Sequence, residues 1–140
     1  NLTSNEERHM GTGRAFVASA LLVLAFGAPA RTAEPEQTPV FVSGQGATDP
    51  ATGKLAGADV ATQTEQSLKN VRTILRAAGS DLQYALRCGV FLLDMKEFEE
   101  MNGVYSRLFG DHRPARTTIQ AAALPGVGLR VEIDCIAYVP

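Results

Sequence analysis

Between Val60 and Val139 the apolar residues keep changing period, and each change fixes what the segment can bury. Val60, Thr64, Ser67, Leu68, Val71, Leu75 and Ala78 recur at three- and four-residue steps, which gathers them on one helix face. Asp59 stands at the N-cap position and Gly79 one residue past the end. Leu86, Cys88, Val90 and Leu92 then alternate with Arg87, Gly89, Phe91 and Leu93, a strand apolar on both faces and therefore central in its sheet. A second helix follows, with Asp94 and Glu97 spaced as a capping box, a stripe of Phe98, Met101, Tyr105 and Leu108, and a stop at Gly110. That stripe reads as core. Thr117–Leu124 and Leu129–Val139 return to the strand period, and the Pro-Gly-Val-Gly turn at 125–128 predicts that they form a β-hairpin. Upstream, Val40–Gln45 has strand composition, and Gly44 within it marks a close approach of another group to the backbone. Two helices and a set of strands make an α+β domain.

Two helices cover only one face of such a sheet. In the last strand Val131, Ile133, Cys135, Ala137 and Val139 share one side, and Arg130, Glu132, Asp134, Ile136 and Tyr138 the other. A face mixing carboxylates with Ile136 and Tyr138 suits a partner surface. Were the hairpin to align the polar sides, Arg116 and Glu132 would approach one cavity, as a site or as an ordinary cross-strand ion pair.

Net charge is −2, from 13 basic against 15 acidic residues, so no broad positive field exists to gather phosphate backbones and nucleic acid is not an expected partner. Cys88 and Cys135 lack the spacing of a zinc or redox motif and read as plain buried thiols.

The first forty residues stand apart. Residues 1–10 (NLTSNEERHM) are polar and end in His-Met, as a cloning remnant would. Residues 11–39 read in two ways. Arg14, the apolar block 15–27 and Ala28-Pro29-Ala30 match an export signal followed by a Pro-rich linker; alternatively, Ala15–Phe26 supplies N-terminal strands. The apolar run is too short to span a bilayer, and no membrane is expected for the mature domain at 40–140.

Val42-Ser43-Gly44-Gln45, the turn DPATGKL, QTEQSLKNVRTILRAAGS, VFLLDMKEF, NGVYSRLFGDHRPARTT and AALPGVGLRVEI, in that order, resemble the Rid/YjgF family of reactive-intermediate deaminases over about residues 41–140. The resemblance implies a chorismate-mutase-like mixed sheet with two helices on one face, assembled as a homotrimer with sites between subunits. It implies hydrolysis of 2-enamine or 2-imine acids to 2-keto acids and ammonia, with neither metal nor organic cofactor. It assigns Arg116 to the substrate carboxylate and Glu132 to the attacking water, with Ser43, Gly44, Phe98, Asn102 and Thr118 lining the pocket. Thr118 stands where many relatives carry cysteine, the turn at 125–128 is one residue longer than in many members, and a strand pair usual before the SGQ strand is replaced by the apolar block. Cytoplasmic location follows from the family, a periplasmic or secreted one from an export signal at 14–30. Two other roles stay open: a non-catalytic trimer that binds small carboxylates, and the endoribonuclease or translation-inhibitor role associated with the family.

Overall fold

The computed structural model describes residues 37–140; the readings made for residues 1–10 and for the block 15–30 lie outside them. In chain order the elements are β1 (Pro39–Gln45), α1 (Val60–Ala77), β2 (Ala85–Leu92), α2 (Phe98–Phe109), β3 (Ala115–Gln120) and β4 (Val131–Tyr138), with 3₁₀ turns at Leu82–Tyr84 and Met95–Glu97. They form a mixed α+β domain with a four-stranded sheet of order β1-β4-β2-β3.

α1 starts and stops where its end residues dictate. The Asp59 carboxylate accepts from the Thr62 amide at 2.7 Å, satisfying one of the amides that a helix start leaves orphaned. Gly79 takes φ +83°, and the amides of Gly79 and Ser80 return to the carbonyls of Arg76 and Leu75 at 3.1 and 2.8 Å, a Schellman closure. The predicted stripe is buried from Val60 to Leu75, with Gln63 added, while Ala78 at the helix end is exposed. Gln63 stays buried because every polar atom is used: its amide nitrogen donates to the carbonyls of Gly57 and Gly128, and its oxygen accepts from the Arg130 amide at 2.7 Å. One helix residue thereby pins the loop ahead of α1 and the segment leading into β4. At α2 the capping differs from expectation. Asp94 accepts from the Lys96 amide at 3.0 Å, but Glu97 accepts from Arg130 Nε at 2.6 Å instead of returning to Asp94. The ion pair outcompetes the reciprocal half of a capping box.

β2 is central, as its double-sided apolar pattern requires: it pairs parallel with β3 and antiparallel with β4. A register shift between Ala85 and Arg87 puts Ala85 in the core and leaves Leu86 53% exposed, against the alternation expected for Leu86. The predicted hairpin does not form. β3 and β4 lie on opposite sides of β2, and the 121–130 connection crosses its end, held by hydrogen bonds from Ala121 N to Leu92 O and from Leu93 N to Arg130 O, each 2.8 Å. The burial of Cys88, Val90 and Leu92 fits a strand that is paired on both edges.

The core lies on the helix side of the sheet, where Val42, Val90, Leu92, Val131, Ile133 and Ala137 meet Leu68, Val71, Leu75 and Met101. On the opposite side Phe41 is 73% and Ile119 46% exposed. At the centre of the buried side Cys88 and Cys135 are register partners with Cα atoms 4.2 Å apart, and they form a disulfide rather than two free thiols. Sequence separation of 47 residues hid a direct cross-strand pair.

Closing a loop of that length removes about 4 kcal/mol of unfolded-state entropy, comparable with burying one or two large apolar side chains. Replacing both cysteines by alanine is therefore expected to lower unfolding stability by about 2–4 kcal/mol, read from urea transitions in the absence of reductant. Identical transitions for the wild type with and without a strong reductant would contradict a formed bond.

Candidate functional site

Register decides where each candidate side chain points, since directly paired residues project to the same face. Cys88 pairs with both Arg116 and Cys135, so Arg116 projects to the helix side with the disulfide. Phe91 pairs with both Ile119 and Glu132, so Glu132 projects to the open side. Arg116 and Glu132 therefore lie on opposite faces of one sheet, on strands separated by β2, about 10 Å apart across the sheet and three residues, about 10 Å, along it. Neither the shared cavity nor the cross-strand ion pair expected from a hairpin exists within one chain. The candidate residues instead form two half-sites.

The first half-site is built on β3 and α2. Arg116 is half-buried, and its Nη1 donates to Asn102 Oδ1 at 2.8 Å. Its guanidinium carbon stands 4.6 Å from the Tyr105 ring centroid and 5.6 Å from that of Phe98. Phe98, Asn102 and Tyr105 are spaced i, i+4 and i+7, so one helix face supplies all three contacts. Phe98 and Asn102 were expected here; Tyr105 was read only as core because it falls on the apolar stripe. Its spacing from Asn102 puts it on the same helix face, but that Arg116 lies over this face follows only from the placement of β3. Tyr105 is buried, which pushes its phenol pKa up to about 12 against the lowering effect of the Arg116 charge, so it is neutral. A cleft of about 360 Å³ opens beside these groups, lined by Asn102, Tyr105, Ser106, Phe109, Arg113 and Arg116. Thr118, two residues along the same face from Arg116, has a buried hydroxyl without a hydrogen-bond partner among the described residues. His112 is half-buried and donates from Nε2 to the Ala85 carbonyl at 2.7 Å, tying the loop before β3 to the start of β2.

The second half-site joins β1 and β4. The register of β1 slips between Val42 and Gln45, and Ser43 and Gly44 occupy the irregularity. A Cβ built on Gly44 would lie 1.9 Å from Glu132 Oε1, so the group that Gly44 admits against the backbone is the Glu132 carboxylate itself. The Gln45 side-chain amide folds back onto the carbonyls of Ser43 and Gly44 at 3.1 and 3.2 Å. Asp134, next on the same face, accepts from the Gly89 amide at 2.8 Å, which commits one of its oxygens to structure.

Comparison with known proteins gives a consistent picture. The family described as Endoribonuclease L-PSP matches residues 31–139. The chain is 40% identical to the human 2-iminobutanoate/2-iminopropanoate deaminase over 98 residues, covering 70% of this chain and 71% of that protein. It is 44% identical to protein DfrA of Myxococcus xanthus over 97 residues, covering 69% and 73%. Among solved structures it superposes on Escherichia coli TdcF with bound serine at TM-score 0.68 and 38% identity, covering 72% of this chain and 80% of that one. The E. coli YjgF product matches at TM-score 0.70 and 34% identity, covering 76% and 85%.

The Gly44 contact makes a separable prediction. The clashing atoms belong to the end of a flexible side chain, and Gly44 has no positive φ, so Gly44→Ala should change stability by less than about 1 kcal/mol while displacing the Glu132 carboxylate. Paired melting curves and a crystal structure of the variant test this; an unmoved Glu132 would refute the contact.

Proposed function

This chain belongs to the Endoribonuclease L-PSP (YjgF/RutC/Rid) family, and from that premise we propose that it hydrolyses 2-imine and 2-enamine acids to 2-keto acids and ammonia at sites shared between subunits. The observation that carries this reading is the state of Arg116. One guanidinium nitrogen is fixed by Asn102, while the other donors meet no protein acceptor among the described residues and border a cleft. A planar fork held in this way suits bidentate binding of a carboxylate.

The chemistry asks little else of the protein. The enamine tautomerises to the imine, water adds to C2, and the carbinolamine loses ammonia as its C–N bond breaks, leaving the keto acid. Glu132 takes a proton from the attacking water and returns one to the departing nitrogen, the acid-base role a carboxylate can fill. Neither metal nor organic cofactor enters the scheme. Because Arg116 and Glu132 point to opposite faces, one site takes Arg116 from one subunit and Glu132 from another. A closed homotrimer also covers the open sheet face, where Phe41, Leu86 and Ile119 are otherwise 73%, 53% and 46% exposed.

The family description keeps an endoribonuclease reading in view. Against it, His112 is the only histidine after the N-terminal stretch, and its Nε2 is engaged with a backbone carbonyl. A carboxylate-binding trimer without turnover would use the same Arg116.

Light scattering is expected to give a trimer. In keto-acid release from 2-aminoacrylate generated in situ, Arg116→Lys and Arg116→Ala should lose most activity, since lysine offers a point charge in place of a fork. Glu132→Gln should slow turnover by about 10²-fold or more while keto-acid binding persists. Full activity in Arg116→Ala and Glu132→Gln refutes the mechanism, and keto-acid binding by a wild type that never accelerates hydrolysis selects the binding module.

The division of the site between subunits makes its own prediction. Co-refolding Arg116→Ala with Glu132→Gln in equal amounts should restore about a quarter of the sites, because random cyclic trimers place the two intact residues at one interface with that frequency. No recovery in properly assembled mixed trimers would place both residues in a single-chain site.

A further inference from the structure

Arg116 is the last member of a column of rings. His112 is anchored at Nε2 to the Ala85 carbonyl, its ring is 6.3 Å from Phe109, and Phe109 lies 4.5 Å from Tyr105 at a tilt of 32°. The Tyr105 ring then faces the guanidinium at 4.6 Å. Phe109 and Tyr105 are 7% and 5% exposed, so the lower part of the column is set in the core. The Tyr105 hydroxyl contributes nothing visible to this arrangement: it is buried and has no hydrogen-bond partner among the described residues. What the position uses is the ring.

We infer that Tyr105 is a positioning residue for substrate binding, its buried ring acting as a cation–π platform that fixes the Arg116 guanidinium plane while Asn102 fixes its rotation. The inference rests on the reading of Arg116 as the carboxylate-binding group. A free arginine side chain samples many rotamers, and part of that freedom must be lost when it binds a ligand bidentately. An arginine already held against a ring and by a side-chain carbonyl has lost that freedom during folding, and the ligand meets a preformed fork. Burial keeps the phenol neutral far above physiological pH, so the platform does not titrate where the protein works.

The test uses the full chain, with 2-oxobutanoate as the probe for binding by calorimetry and ¹⁵N relaxation at Arg116 Nε for order. Tyr105→Leu removes the ring and should weaken 2-oxobutanoate about tenfold, as expected for loss of a partly desolvated cation–π contact. The Arg116 Nε order parameter should fall from a backbone-like value of about 0.85 to below about 0.6. Tyr105→Phe keeps the ring and discards an unsatisfied hydroxyl, so it should retain affinity within about twofold and lose no stability. Wild-type affinity in Tyr105→Leu, with binding abolished in Arg116→Ala, would overturn the platform and leave the assignment of Arg116 standing. Undiminished binding in Arg116→Ala would instead remove that assignment and the platform with it. A loss in Tyr105→Phe equal to that in Tyr105→Leu would transfer the role to the hydroxyl and overturn the inference. Should Tyr105→Leu not fold, Tyr105→Phe and the wild-type relaxation data decide, and an Arg116 Nε order parameter below about 0.6 in the wild type would overturn it.

Discussion

The antiparallel pairing of β2 with β4 is the contact from which the rest of the structure hangs. It aligns Cys88 with Cys135 and Val90 with Ile133, four residues that are 0 to 1% exposed, and ties the two strands covalently at their centre. Every other element is placed relative to this pair. β1 adds to the free edge of β4, β3 to the free edge of β2, and both helices cover the face that carries the disulfide. Because, among the described residues, helices cover one face and not the other, a side chain's parity along its strand decides whether it meets the core or the opposite side. Arg116 and Glu132 fall on different parities.

The two half-sites differ in how they are held. Arg116 is restrained by α2, through Asn102 and two aromatic rings, on a helix whose Met101 and Tyr105 are also part of the core. Glu132 is restrained by absence: the missing side chain at Gly44 leaves room for its carboxylate against the β1 backbone. The proposed mechanism uses both parts, a positively charged group braced by packing and a carboxylate resting in a gap on the opposite face. The proposed assembly is the step that puts them together. In that proposal the same step would cover Phe41 and Ile119, so that burying an apolar face and completing a site would have one solution.

Gln63 shows how much a single buried polar residue can organise. Its three hydrogen bonds reach Gly57 on one loop and Gly128 and Arg130 on another, and so connect the approach to α1 with the approach to β4. The crossing from β3 to β4 over the end of β2 is stabilised there and by two backbone bonds at the strand end. Leu129 packs against Gly126 and Gly46 at the same place, where any larger residue would collide with it.

Residues close in sequence announced themselves. The span of α1, its Asp59 cap and Gly79 stop, the central role of β2, the α2 stripe and the close approach at Gly44 were all legible, because helix and strand periods and end signals are local properties of the chain. The ordered run of family motifs added Arg116, Glu132, Phe98 and Asn102, which spacing alone would not have singled out. Four things were not legible. The disulfide, the placement of β2 between β3 and β4, the separation of Arg116 from Glu132 onto opposite faces, and the use of Tyr105 beneath Arg116 all depend on which distant strands become neighbours. A turn sequence such as Pro125-Gly126-Val127-Gly128 specifies that the chain reverses, but not whether another strand lies between the two arms. That choice belongs to the tertiary structure, where β3 and β4 part and the fully buried β2 is paired on both edges.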